Sequence, residues 1–262
     1  MPRIRTATGI SLGYEEAGAG DATPIVFLHG VGSDKSVWRP QLDYFGGERR
    51  AVAFDYPGYG DSDPAFEGMS REDYATTIYA AMTELGIQRA HVCGLSLGGV
   101  VAIAMHAAWP KRIRSLILAD TFAEHPDGRA IYERGIAASA DLRAMAESRV
   151  DVLLAQPPDP KVRSEVVETM SRIDPAAYRV GAKAVWLAQQ TDRASAIRVP
   201  TLVLCGAEDR ITPPSLSLAL TKLIPGAIYE AIEDAGHISN LEKPDAFNTL
   251  VGAFIRGVDS RA

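Results

Sequence analysis

Four continuous apolar runs constrain this chain more than anything else in it, "PIVFLHG", "RAVAFDYPG", "AHVCGLS" and "IRSLILAD", and the later runs "VPTLVLCGAED" and "AIYEAIEDAGH" keep the same rhythm. A strand that is apolar at every position has both faces buried. Buried strands that alternate with helical stretches imply a mainly parallel sheet covered by helices. Helices are predicted over 70–85, 97–108, 214–223 and 244–256, the last beginning after Pro244. Upstream, short alternating segments at 3–7 and 10–16, with Gly9 between them, predict a hairpin. The chain therefore reads as a doubly wound α/β domain.

One region breaks the alternation. From about 122 to 193 no strong strand signal occurs, and charged, alanine-rich helical segments are separated by "QPPDP" and "DP". Residues 1–121 and 194–262 then form the core domain, with 122–193 an inserted helical lid. In open α/β sheets ligands bind outside the carboxyl ends of the strands, so a lid there would cover the crevice. With 47% hydrophobic residues the chain can bury a sizeable core. The net charge of −6 provides no basic footprint for nucleic acid or an anionic membrane. Cys93 and Cys205 each lie inside an apolar run and read as buried thiols of a reducing compartment. The opening residues lack an apolar stretch of signal-peptide length, so a soluble cytoplasmic protein, monomer or homodimer, is expected.

Chemistry-bearing residues gather where the strands end. The "PIVFL" strand ends at His29-Gly30, "HVCGL" at Ser96, "LILA" at Asp120 and "TLVLCG" at Asp209, and the last strand runs on to His237. A serine hydroxyl is a weak nucleophile that needs an adjacent base, for which His237 is the candidate. The imidazole needs a carboxylate to fix its tautomer and stabilise its cation, and Asp209 is the candidate. Ser96 stands in Gly-x-Ser-x-Gly between a strand and a helix, a sharp turn that aims its hydroxyl into the crevice. That turn leaves the Leu97 amide at a helix N-terminus, free to hold an oxyanion. A second donor is expected in "HGVGSDKSVW", where the Val31 amide fits.

Other residues read as less direct. His29 is expected to orient the oxyanion loop through backbone hydrogen bonds, and His91, His106 and His125 have core or surface roles. Asp120 competes with Asp209 as the acid of the triad and is otherwise a polar neighbour of the pocket. Asp55 braces a turn, and Glu208 points away from the histidine. No histidine–carboxylate cluster has ligand spacing, so neither metal nor cofactor is expected.

The set "LHGVGSDKSVW", "DYPGYGDSD", "GLSLGG", "GAEDRITPP" and "AGHISNLEKPDAFN" resembles the α/β-hydrolase-fold serine hydrolases over nearly the whole chain. Within them it is most similar to 3-oxoadipate enol-lactonases, through "CGLSLGGVV" and "GHISNLEKPDAFN". It departs from those enzymes at "DYPGYG", where they commonly read D-T-R-G-H-G, and at Asp120, where they often have asparagine. The resemblance implies a mostly parallel eight-stranded sheet flanked by helices with an inserted helical cap. It also implies Ser96 as nucleophile, Asp209 as acid, His237 as base, oxyanion amides at Val31 and Leu97, and Trp186 in the pocket lining. An enol-lactone carries a free carboxylate, for which Arg134, Arg143 or Arg179 of the cap could supply a cation.

The expected activity is hydrolysis of a small-molecule carboxylic ester or lactone through an acyl-enzyme. The same residues are compatible with a C–C bond hydrolase of a vinylogous diketone, a perhydrolase, or a ligand receptor on the same fold.

Overall fold

A computed structural model describes residues 2–261, and among them the runs become strands of one sheet. Its strands are β1 (Arg3–Arg5), β2 (Ser11–Ala17), β3 (Ile25–Leu28), β4 (Ala51–Phe54), β5 (Ala90–Leu95), β6 (Ile113–Ala119), β7 (Thr201–Gly206) and β8 (Ile228–Ile232). The spatial order is β1-β2-β4-β3-β5-β6-β7-β8. β1–β2 and β2–β4 pair antiparallel and the remaining neighbours pair parallel. Every residue of β3, β4, β5 and β7 is buried, as unbroken apolar runs require. β8 stands at the sheet edge and is correspondingly exposed along most of its length.

The helices are α1 (Arg39–Phe45), α2 (Arg71–Glu84), α3 (Leu97–Ala108), α4 (Gly128–Ala138), α5 (Leu142–Leu153), α6 (Pro160–Ser171), α7 (Pro175–Trp186), α8 (Thr191–Ser195), α9 (Pro214–Leu223), α10 (Ser239–Glu242) and α11 (Pro244–Asp259). α3 is apolar on all sides and is buried from Leu97 to His106, packed against the strands that precede and follow it. α11 instead buries one stripe, Phe247, Val251, Ile255 and Val258, at helical spacing. The Ser70–Asp73 capping box opens α2.

Helices α4 to α8 fill the connection between β6 and β7. The "DP" pairs that interrupt this stretch are its punctuation: Asp159 and Asp174 are N-caps, and Pro160 and Pro175 open α6 and α7. Each aspartate accepts two backbone N–H groups of the first turn, and proline there loses no intrahelical bond. The boundary expected between 193 and 194 falls inside α8, a helix that packs on α3 and α9 and so belongs with the sheet layer.

Candidate active site

Between β5 and α3 the chain turns through Ser96 at φ 54°, ψ −113°. A non-glycine residue in that region carries about 1–3 kcal/mol of strain, which the surroundings must hold. They do so through the backbone: the Ser96 N–H donates to the Ala119 carbonyl at 2.9 Å, and the Thr121 hydroxyl donates to the Ser96 carbonyl at 2.8 Å. Glycine is obligatory on both sides. A Cβ on Gly94 would strike the Gly98 backbone, and one on Gly98 the Leu28 carbonyl. Ser96 Oγ is buried and makes no hydrogen bond among the described residues. It lines a cavity of about 60 Å³ together with His237, and Gly30 lies beside it, where a built Cβ would stand 3.4 Å from the Ser96 Cβ.

His237 follows β8 and is fixed by its neighbour across the loops. Its Nδ1 donates to Asp209 Oδ2 at 2.8 Å. Asp209, just after β7, also accepts the Ile211 and Thr212 N–H groups on Oδ1 at 2.7 and 2.9 Å, and the Thr212 hydroxyl on Oδ2 at 2.7 Å. Burial alone would raise the Asp209 pKa, but the imidazole and these donors hold it below the ordinary carboxylate value. Burial likewise works against a charged His237, yet the Asp209 charge and hydrogen bond leave its pKa above the usual 6.5. A carboxylate on Nδ1 leaves Nε2 as the proton-accepting nitrogen.

Asp120 does not line the cavity. Fully buried at the end of β6, it accepts the Gly206 N–H at 2.8 Å and the Ser239 hydroxyl at 2.6 Å, and its backbone sits at φ 48°. Burial and the nearby Asp209 charge push its pKa up to about 8. Asp120, expected as a pocket residue, is thus not among the residues that line the cavity, and its carboxylate is taken up by Gly206 and Ser239. Asp120, Cys205 and Asp209 bring potential ligand atoms within 4.8 Å of one another, a grouping that residue spacing did not reveal. The oxygens of both carboxylates are already engaged by the hydrogen bonds just described.

The remaining expectations divide. Val31 borders the cavity, and neither its N–H nor that of Leu97 is taken by an acceptor among the described residues. Trp186 lines the cavity, stacked on Phe122 with ring centroids 5.8 Å apart. His29 is sealed against Tyr56 and Tyr59; its Nδ1 donates to the Gly30 carbonyl at 2.8 Å and its Nε2 faces the Tyr56 N–H at 3.4 Å. His91 is tied to Ser115 and Asp259, remote from the cavity. His125 reaches the Ile211 carbonyl and packs on the edge of Trp186. Asp55 does brace a turn, but with a partner not foreseen. Its carboxylate takes both the backbone N–H and the ammonium of Lys35, at 2.8 and 2.7 Å, and so ties the loop after β3 to that after β4.

Of the arginines, Arg143 pairs with Glu168 on the surface, Arg179 reaches Ser139 and Arg134 is exposed. The cation that enters the cavity is Arg149 of α5, half-buried, with only the Tyr178 hydroxyl at 3.4 Å beside it and no carboxylate partner among the described residues. The rest of the lining from this segment is apolar, including Leu153, Val166 and Met170. Among the described residues no helix is long and apolar enough to cross a membrane.

A serine on a strained strand-to-helix turn above a mostly parallel eight-stranded sheet narrows the class, and comparison with known families agrees. Residues 25–250 match the alpha/beta hydrolase family, and the chain belongs to it. It is 25% identical to 3-oxoadipate enol-lactonase 1 of Acinetobacter baylyi, over 97% of each chain. Among solved structures, the enol-lactonase from Burkholderia xenovorans LB400 superposes with a TM-score of 0.91 at 28% identity, over 97% of this chain and 100% of that one. A thermophilic esterase from Thermogutta terrifontis reaches 0.89 at 27% identity, over 98% of each.

Proposed function

We propose that this hydrolase cleaves a small carboxylic ester or lactone through an acyl-enzyme on Ser96, with His237 as base and Asp209 as acid. The observation that carries the reading is the 2.8 Å hydrogen bond from His237 Nδ1 to Asp209 Oδ2, on a histidine that lines the same cavity as Ser96 on its strained turn. His237 Nε2 takes the Ser96 proton as Oγ attacks the carbonyl carbon, and the imidazolium rests against Asp209. The carbonyl oxygen, now anionic, is held by the Val31 and Leu97 amides. Nε2 returns the proton to the leaving alkoxide or enolate, and the acyl group remains on Oγ. Water then enters and gives a proton to Nε2 as its oxygen attacks the acyl carbon; collapse of that second intermediate breaks the bond to Oγ, which takes the proton back from Nε2 as the acid leaves.

Residues 122–193 act in this reading as the cap over the strand ends. Their apolar lining excludes water, and Arg149 is the single cation they contribute to the cavity wall. A guanidinium without a carboxylate of its own suits a carboxylate on the substrate. The substrate class is accordingly an ester or lactone with an acidic group at the end away from the scissile bond.

The test pairs a fluorophosphonate probe with two substrates. The probe labels Ser96 in the wild type and not in Ser96→Ala. A short aryl ester ending in a carboxylate is compared with its methyl-capped isostere. Absence of labelling, or full turnover by Ser96→Ala, would overturn the nucleophile; equal KM values for the two esters would overturn the acidic substrate.

A further inference from the structure

The loop that bears His237 is fastened by its backbone to a distant part of the chain. Three consecutive amides are held in turn: the Gly236 N–H donates to Glu242 Oε1 at 3.0 Å, the His237 N–H to the Leu153 carbonyl at 2.7 Å, and the Ile238 N–H to Glu242 Oε1 at 3.2 Å. Glu242 Oε2 meanwhile accepts the Ala155 N–H at 2.7 Å. One carboxylate thus gathers amides from both sides of the histidine and from the end of the β6–β7 helical segment. Leu153 is the last residue of α5, whose terminal carbonyls have no partner within the helix, and the histidine amide supplies one. The two backbones touch so closely that a Cβ on Gly236 would lie 2.8 Å from the Ala155 nitrogen. Arg149 lies one turn before Leu153 on the same helix, and both line the cavity.

We propose that Glu242 is a positioning residue. Its carboxylate locks the His237 loop to the end of α5, so that the helix carrying Arg149 into the cavity also sets where the imidazole stands. The proposal rests on the hydrolase reading above. Nothing in it needs Glu242 to touch substrate. Its consequence is that seating a substrate against α5 and holding the base are one mechanical event, because no loop of independent mobility lies between them.

The test variant is Glu242→Gln, which keeps the volume but has one acceptor oxygen where two are used, and so cannot serve both segments at once. Turnover of a neutral aryl acetate, which needs no Arg149, is expected to fall about tenfold to a hundredfold, the scale of an ångström-sized misplacement of a catalytic group. KM should stay within about threefold, since the cavity lining is intact. Fluorophosphonate labelling of Ser96, which depends on the base, should slow in parallel. Glu242→Asp is the second variant: it keeps the charge but removes one methylene, so the carboxylate no longer spans both segments. It should show the same loss in kcat without a change in KM, and it decides the matter if Glu242→Gln does not fold. Wild-type kcat and labelling rate in a folded variant would overturn the proposal. Failure of the wild type itself to label would overturn the hydrolase reading instead, so the two failures are distinguishable.

Discussion

The two walls of the cavity are built by different means. On the sheet side, the backbones of Ser96, Asp209 and His237 are each held by hydrogen bonds, from the Ser96 N–H to Ala119, the Asp209 N–H to Gly206 and the His237 N–H to Leu153. On the other side, Arg149, Leu153, Val166, Met170, Tyr178 and Trp186 project from helices whose ends are capped but whose inward faces are largely apolar. Hydrogen bonds fix position to fractions of an ångström, whereas apolar contacts tolerate repacking of similar volume. On the proposed reading the sheet side holds the reaction constant while the apolar faces of the helical side set the substrate, the end of α5 that grips the His237 loop excepted. Substitutions on the first should abolish turnover of every ester; those on the second should sort one ester from another.

Ser96→Ala is the most severe way to probe that difference. It should lower kcat about 10⁶-fold for carboxylated and neutral esters alike, as loss of the nucleophile does in serine hydrolases. Asp209→Asn comes next, with a loss of about 10⁴-fold because the imidazole loses both its tautomer and its counter-charge. The acid limb of kcat/KM offers a second readout. The His237 pKa is raised above 6.5, so the protonated, inactive base accumulates as pH falls through that raised value. Removing the Asp209 charge should shift the limb to lower pH. Asp120→Asn should change kcat less than about tenfold; a loss matching that of Asp209→Asn would reassign the acid. On the helical side, Arg149→Met should raise KM for the carboxylated ester about tenfold to a hundredfold and leave the methyl-capped ester unchanged. An equal effect on both esters would show that the two walls do not divide the work as described.

This difference also explains what could be read from the chain alone. Ser96 and Asp209 could be placed because each follows a buried apolar strand, a defined position in a parallel sheet, whereas His237 follows the exposed edge strand β8 and was marked by the "AGH" after it. Arg149 was not. Arg134, Arg143, Arg149 and Arg179 all sit in charged helical stretches, and nothing in their spacing says which helix face turns toward the sheet. That depends on how α4 to α8 pack, a tertiary fact. Lys35 was missed for a related reason: its partner Asp55 lies on another loop, and only the pairing of β3 with β4 brings them together. The boundary expected at 193/194 falls inside α8 because that helix reads like those before it, although it packs on α3 and α9.

Asp120 stands at the junction of the two regions, the residue after β6 where the chain leaves the sheet, and it yields the smallest effect. Its pKa of about 8 in the fold compares with about 3.9 for an unfolded aspartate. Below the lower value both states are protonated and the residue is neutral toward stability. Between the two values the unfolded chain loses a proton that the folded chain keeps, so stability falls as pH rises, and the cost levels off above the folded pKa. Asparagine mimics the protonated acid: its oxygen can accept the Gly206 N–H, and its amide can donate to Ser239 once that hydroxyl rotates. Asp120→Asn should therefore gain on the wild type with rising pH, by up to about 1 kcal/mol per unit between roughly pH 5 and 8. In melting temperature that is about 2–4 °C per unit for a chain of this size. A constant difference in Tm across that range would mean that Asp120 is ionised in the folded protein. Two carboxylate charges would then lie beneath His237, and the division between an acid that works and one that only supports the turn would need redrawing.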